Sequence, residues 1–402
     1  MMMNDLPRLK IGFDNETKMP VYITDRYVHT LLTGKSGGGK STSISNWWEQ
    51  DHYFKNAKVL VDPSGFLAGD AYSISRGIYC SLDHDVSINP MITPYTDSQI
   101  SELIADSINQ MITVTTHNQP LTAKMRNILD DAIKYCLKNN RRTLLNVRDY
   151  ILNLRGDGET RDGIIARLNF ILNDDRMVKI LCGNNSVEWG ELIYKKQTFI
   201  LDCFGMGKEK MIFAGSLITN GIKNYFRYSR PKEYKPLSLY IDECHNFINP
   251  SLFDILKEGR KYKLSCCLST QDFAVIDDRM ARVMCNVGNI LSYRIGHREA
   301  QIIANEMGKI KDDLIERVFD GKKYTEKVTV FNTKDILQNL EKYHVAYMTS
   351  KLKGIAKASR PPFFIPAKPP IKVEPQRNSK KPSWFTLEPL ESYPNSLNQN
   401  EG

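Results

Sequence analysis

The sequence predicts an α/β fold with a mainly parallel central sheet, and two features lead to this prediction. Short, buried strand-like runs alternate with helical stretches along most of the 402 residues, an order typical of parallel sheets covered by helices. One of these runs, VHTLLT, leads directly into the glycine-rich segment GKSGGGKS, and a helical stretch follows it. A strand, a glycine loop and a helix in this order are the context in which phosphate-binding loops occur.

The composition is that of a globular protein with a basic excess. Hydrophobic residues make up 41% of the chain and charged residues 25%, and the net charge is +9. This charge is compatible with a polyanionic partner but does not identify one. No uninterrupted apolar run reaches the roughly 18 residues of a membrane span, so we expect a cytoplasmic protein without direct membrane insertion. We interpret the eight cysteines, which include no C-x-x-C pair, as buried reduced thiols.

The order of the elements divides the chain into four segments. Residues 1–95 contain the strand-like runs LKIGF, PVYIT, VHTLLT and AKVLVD, and residues 191–366 contain QTFILDC, LSLYID, LSCCLST and GNILSYRIG. We interpret these segments as the N- and C-terminal parts of one core. Residues 96–190 repeat apolar residues at helical intervals, as in PLTAKMRNILDDAIKYCL, which predicts an all-helical insertion. Residues 367–402 are rich in Pro, Asn, Ser and Lys and predict a disordered basic tail.

The glycine segment matches the phosphate-binding pattern G-x-x-x-x-G-K-[ST] in full. The backbone N–H groups of such a loop surround phosphate oxygens, and the dipole of the following helix points at the same anion. The pattern places Lys40 on the β- and γ-phosphates and the Ser41 hydroxyl on Mg²⁺. The predicted nucleotide-binding residues are Gly34, Lys35, Ser36, Gly37, Gly38, Gly39, Lys40, Ser41 and Thr42.

Two further strand ends supply polar side chains that suit phosphate hydrolysis. In LSLYIDECHNF, Asp242 is predicted to hold Mg²⁺, mostly through water, and Glu243 to polarise the attacking water as general base. An ordinary strand ending in two solvated acids fits the same run. In LSCCLSTQ, the amide of Gln271 is a candidate for bonding the γ-phosphate or the water, although a solvent-facing glutamine fits there too.

Taken together, these motifs resemble the HerA/FtsK superfamily of P-loop motors, in particular its TraG-like coupling-protein and conjugation-ATPase branch. The similar stretches, in the family's order, are VHTLLTGKSGGGKST, VLVDPSGFLAG, SINPM, LYIDECHNF, EGRKYKLSCCLSTQ, NVGNILSYRIG and SRPPFFIP. The resemblance extends over about residues 20 to 366. In VLVDPSGFLAG the chain departs from the family, because Ser64 replaces the usual lysine and Phe66 replaces a common acid.

The resemblance implies a RecA-like core that binds ATP and Mg²⁺ and assembles as a hexameric ring. In such rings the nucleotide lies between subunits, and an arginine of the neighbour contacts the γ-phosphate, where a guanidinium stabilises the charge of the transition state. Arg260 in EGRKY is the first candidate for this arginine and Arg294 the second. A surface salt bridge is an equally open interpretation of Arg260.

The function implied is an ATP-driven ring motor that translocates DNA without sequence preference. Conjugative transfer, genome packaging or DNA processing in a mobile element would suit it, with a relaxase, a nuclease or a membrane complex as partner. Such a partner would recruit the protein to the membrane. Two alternatives stay open: a secretion-system or defence ATPase that acts on a protein, and a nucleotide-gated scaffold that hardly turns over ATP.

Overall fold

The computed structural model describes residues 8–115, 120–156, 158–229, 231, 233–271, 284–285, 287–310, 313–319, 322–328 and 332–360. The predicted tail, residues 367–402, lies outside the described residues, so it stays a prediction.

The described elements alternate between strands and helices over most of the chain. The strands are β1 (Leu9–Asp14), β2 (Pro20–Ile23), β3 (Thr30–Thr33), β4 (Ala57–Asp62), β5 (Ile78–Cys80), β6 (Thr198–Asp202), β7 (Leu237–Ile241), β8 (Leu264–Thr270), β9 (Asn289–Ser292), β10 (Asp313–Phe319), β11 (Lys322–Val328), β12 (His344–Met348) and β13 (Lys353–Ala358). The α-helices are α1 (Lys40–Tyr53), α2 (Phe66–Ser75), α3 (Asp97–Thr115), α4 (Ala123–Lys138), α5 (Leu144–Leu152), α6 (Gly158–Leu172), α7 (Asp175–Cys182), α8 (Trp189–Tyr194), α9 (Lys208–Tyr228), α10 (Pro250–Glu258), α11 (His297–Met307) and α12 (Thr333–Asn339). Short 3-10 helices span Cys244–Asn246 and Gly259–Tyr262.

Eleven strands form one sheet in the order β2-β1-β13-β12-β9-β3-β8-β7-β4-β6-β5. The seven strands from β9 to β5 are parallel to their neighbours, so the predicted mainly parallel α/β sheet is confirmed. The other four strands, β12, β13, β1 and β2, continue the sheet with antiparallel pairings that the sequence analysis did not predict. Strands β10 and β11 form a separate antiparallel pair.

The central strands are buried on both faces, which explains their continuous apolar runs. In β4, Val59 and Val61 belong to a core shared with helices α3 and α9, whereas Leu60 faces a second core that contains Trp47 and Trp48 of α1. All eight cysteines are buried and free, which confirms their interpretation as reduced thiols.

Helices α3 to α8 lie between β5 and β6 along the chain, and α3 packs closely against α9. Several of these helices begin at residues with capping side chains: Thr122 and Thr143 each accept a hydrogen bond from an N–H in the first turn, as does Asp174. Among the described residues, no helix is both long and apolar enough to cross a membrane. The segment boundaries proposed from the sequence stay predictions.

Candidate nucleotide-binding site

The motifs found in the sequence meet at one edge of the sheet, because parallel strands end on the same side. The glycine loop follows β3, the acid pair follows β7, and Gln271 follows β8, which lies between β3 and β7. The register sets Thr33 beside Thr270. Two strand spacings, about 10 Å, therefore separate the loop from the acid pair.

The glycine loop has the left-handed backbone that its composition predicts. Gly37 has φ 73° and Gly39 has φ 125°, values that residues with a Cβ adopt only under strain. A Cβ on Gly37 would meet no atom within 4 Å, so the loop is open at this point. A Cβ on Gly39 would lie 2.8 Å from the ring of Tyr293, so this position also needs glycine for space.

Tyr293 packs against the glycine loop and supports it, a role that was not predicted from the sequence. Its side chain is buried, its hydroxyl lies 2.6 Å from Ser43 Oγ on α1, and its N–H donates to the Thr33 carbonyl at 2.9 Å. The carbonyl of the next residue, Arg294, accepts a hydrogen bond from the Lys35 N–H at 2.9 Å. An aromatic residue at a strand end was the sole sequence signal for this contact.

Lys40 lies inside the loop with its amine near both acids. Its Nζ donates to the carbonyl oxygens of Gly34 at 2.7 Å and Lys35 at 3.4 Å. Burial lowers the pKa of Lys40, while the charges of Glu243 and Asp242 act in the opposite direction. Helix α1 begins at Lys40 and has no side-chain cap, so its first N–H groups are available to an anion. Ser41, the next residue, is exposed.

Asp242 lies buried beside β4, where its N–H donates to the Val61 carbonyl at 3.1 Å. Burial raises the pKa of its carboxyl group and the Glu243 charge adds to this, while the Ser269 hydroxyl and, more weakly, the Lys40 charge act in the opposite direction. Within the described chain its Oδ1 has no hydrogen-bond partner of normal geometry, although the Ser269 hydroxyl lies beside the carboxylate. A buried carboxylate oxygen that lacks a regular hydrogen-bond partner is suited to bind a metal ion or a metal-bound water.

Glu243 has φ 41° and ψ 51°, a left-handed backbone that costs a residue with a Cβ about 1–2 kcal/mol. Backbone strain of this kind concentrates at functional sites. Its Oε2 accepts a hydrogen bond from the Gln271 N–H at 3.4 Å and lies 3.4 Å from His245 Nδ1. The Gln271 backbone thus reaches Glu243, while the predicted role of the Gln271 amide on the γ-phosphate stays a prediction.

The turn after β4 is closed by Asp62. Its Oδ1 accepts hydrogen bonds from the Ser64 N–H at 2.9 Å and the Ser64 hydroxyl at 2.8 Å, and its Oδ2 accepts one from the Ala68 N–H at 2.8 Å. Burial raises the pKa of Asp62, and the charge of nearby Asp242 adds to the shift. Ser64, which departs from the family pattern, therefore has a local role in holding this turn.

The two arginine candidates lie at opposite ends of the parallel strands, Arg260 before β8 and Arg294 after β9. Arg260 precedes β8, its side chain is 69% exposed, and its Nη2 is 2.9 Å from Asp25 Oδ2. The seven residues of β8 place it about 20 Å from the loop edge. The surface salt bridge left open for Arg260 is thus present within the chain. Arg294 follows β9, beside the loop, and is exposed.

Comparison with solved structures finds proteins that share this fold at low sequence identity. The bacterial conjugative coupling protein TrwBΔN70 superposes with a TM-score of 0.68 at 13% identity, over 90% of each chain. VirB4 of Thermoanaerobacter pseudethanolicus gives 0.66 at 14% identity, over 90% of this chain and 99% of that one. TrwB in complex with ADP and Mg²⁺ gives 0.61 at 16% identity, over 90% and 92%.

No family model matches the sequence, and no curated protein matches it either. The solved structures nevertheless cover 90% of this chain. The chain therefore has the fold of TrwB and VirB4, which is the fold that the resemblance implied.

Proposed function

We propose that this chain, which shares its fold with TrwB and VirB4, is an ATP-hydrolysing ring motor that translocates DNA. One juxtaposition carries the proposal: Lys40, within the glycine loop, lies close enough to Asp242 and Glu243 for both carboxylates to favour its charge. A triphosphate in the loop would lie between the lysine and the acid pair. The TrwB complex with ADP and Mg²⁺ supports the same ligands for this chain.

In this proposal each residue has a chemical role. The loop N–H groups and Lys40 bind the phosphates, and Glu243 orients and polarises the attacking water. Ser41 and Asp242 would hold Mg²⁺, which neutralises charge that develops on the phosphate oxygens. The buried Asp242 Oδ1 supports this role. Gln271 would contact the γ-phosphate from the end of β8.

The family resemblance is the basis for a proposed ring assembly, and the position of Arg260 fits it, because only a neighbouring subunit could bring this arginine to a bound nucleotide. A neighbouring subunit would supply this arginine, as the family resemblance implies, and the ring would be a hexamer. In this arrangement hydrolysis at each site depends on two chains. Arg294, beside the loop of its own chain, is the alternative.

DNA is the proposed cargo because the chain carries a net charge of +9 and has the fold of a conjugative coupling protein. Contacts with phosphates alone carry no sequence information, so binding would be blind to sequence and weakened by salt. We propose conjugative transfer in a mobile element as the setting. A relaxase or a membrane complex would then direct this otherwise cytoplasmic motor.

The test is the ATPase rate of the purified protein with and without DNA, at low and high salt. We expect DNA of any sequence to raise the rate several-fold at low salt and to lose this effect as salt rises. Glu243→Gln should retain ATP but lower the rate at least about 100-fold. Glu191→Gln, a matched change on the exposed face of α8, should leave the rate unchanged. A protein unable to retain ATP would contradict the proposal.

A protein cargo is the second candidate, because the same nucleotide-binding and hydrolysing residues would serve a motor that acts on a protein. It predicts an ATPase rate that DNA leaves unchanged and that a partner protein raises. The same assay therefore separates the two cargoes, and Glu243→Gln removes turnover in both cases.

A further inference from the structure

The imidazole of His245 bridges the two strand ends that carry the proposed chemistry. His245 lies in the 3-10 helix after β7, and its Nδ1 is 3.4 Å from Glu243 Oε2 and 3.2 Å from Thr270 Oγ1. Thr270 is the last residue of β8, and the N–H of the next residue, Gln271, donates to the same Glu243 oxygen. One ring thus connects the proposed general base to the strand end that carries the proposed γ-phosphate contact.

Asn246 fixes the hydrogen-bonding pattern of this ring. Its Nδ2 lies 3.3 Å from His245 Nε2 and also donates to the Glu243 carbonyl at 3.1 Å. Because an amide nitrogen is a donor, Nε2 of the imidazole must accept. A neutral imidazole then carries its hydrogen on Nδ1, which faces Glu243 and Thr270.

Strand β7 does not fix the direction of the Glu243 side chain, because the backbone of Glu243 departs from the strand conformation. A partner side chain is therefore needed to hold it. The left-handed φ of 41° at Glu243 turns the chain away from the strand direction. The side chains of His245 and Glu243 are 18% and 21% exposed, so their contact is largely shielded from water. A shielded contact of this kind restricts the carboxylate to few orientations.

We infer that His245 is a positioning residue that holds the Glu243 carboxylate in the orientation needed to polarise the attacking water and couples it to the end of β8. The inference rests on the proposed function, because it assigns a role in ATP hydrolysis. A carboxylate without this support would spend less time in the reactive geometry. The loss should therefore fall on kcat and not on nucleotide binding.

The experiment compares His245→Ala with His245→Asn in steady-state ATPase assays, together with the affinity for a fluorescent ATP analogue. We expect His245→Ala to lower kcat about 10- to 100-fold and to change KM and analogue affinity less than about twofold. His245→Asn should recover part of the rate, because its amide nitrogen can occupy the place of Nδ1. The matched control is His52→Ala, an exposed site near the far end of α1, which should behave as the unchanged protein.

Coupling to Glu243 is tested by combining His245→Ala with Glu243→Gln. The double variant should be no slower than Glu243→Gln alone, because the group that His245 positions is already absent. Additive losses, an unchanged kcat, or a parallel fall in affinity and kcat would overturn the inference. If His245→Ala does not fold, the ATPase rates of His245→Asn and His245→Gln are compared instead. A higher rate for His245→Gln than for His245→Asn would overturn the inference. Failure of the unchanged protein to bind or hydrolyse ATP contradicts the proposed function instead.

Discussion

Lys40 Nζ donates a hydrogen bond to the Gly34 carbonyl, 2.7 Å away, across the loop that both residues belong to. A second carbonyl, that of Lys35, lies 3.4 Å from the same amine. The loop backbone therefore holds the lysine inside the loop, and the nearby acids favour its positive charge. Phosphate oxygens would compete with these carbonyls for the amine.

Replacing Lys40 should therefore weaken nucleotide binding. A hydrogen bond from a charged donor contributes about 1.5–3 kcal/mol, so Lys40→Met should lower ATP affinity about 10- to 100-fold. Titration with a fluorescent analogue measures the affinity. Lys138→Met, at the exposed end of α4, is the matched control and should bind normally. An affinity for ATP that is the same in all three proteins would argue against the loop as the phosphate site.

The two left-handed glycines should respond differently to alanine. Gly37→Ala introduces backbone strain alone and should lower the free energy of unfolding by about 1–2 kcal/mol. Gly39→Ala adds a contact of 2.8 Å with the Tyr293 ring and should lower it by about 2–4 kcal/mol. Urea unfolding without nucleotide measures both. Equal losses would mean that Tyr293 does not limit the space at Gly39.

The proposed arginine in trans can be tested by mixing inactive proteins. Arg260→Ala and Glu243→Gln should each lower the ATPase rate strongly, because each site needs both residues. A mixture should regain part of the rate, since some interfaces then combine an intact Arg260 with an intact Glu243. Arg294→Ala mixed in the same way should regain none if Arg294 acts within its own chain. No recovery with Arg260→Ala would remove it as the trans arginine.

The buried side chain of Lys58 should make the stability of the folded protein depend on pH. Burial beside Trp48 lowers the pKa of Lys58 to about 7, against a weaker opposing effect from Asp51. Between pH 7 and about pH 10 the unfolded chain therefore holds a proton that the folded chain lacks, so this lysine makes stability rise with pH. Lys58→Met should be the more stable protein at pH 7. Its advantage in unfolding free energy should shrink by up to about 1.4 kcal/mol per pH unit, as measured by urea unfolding. A constant difference from pH 7 to 9 would contradict this.

Features of the molecule that short stretches determine could be predicted from the sequence. The glycine loop needs residues with positive φ next to a lysine, and Asp242 needs a buried strand before it, so both could be found from local patterns. The parallel core followed from the alternation of buried runs and helices.

Features that depend on distant contacts could not be predicted in this way. His245 and Thr270 meet only because β7 and β8 are neighbours, and Tyr293 reaches Ser43 only because β9 lies beside β3. The antiparallel strands were missed for the same reason. Alternating apolar residues identify a strand but do not identify its partner.

The pairing of β1 with β13 has a consequence for synthesis on the ribosome. Strand β1 is joined to the sheet by β13, which the ribosome makes more than 300 residues later. At roughly 5–20 residues per second, the nascent hairpin of β1 and β2 waits on the order of 15 to 70 seconds for that strand. Throughout this interval one row of its peptide groups stays open to pairing with foreign chains. Translation that stops early would leave this edge uncovered for good, so interrupted products should be prone to aggregation.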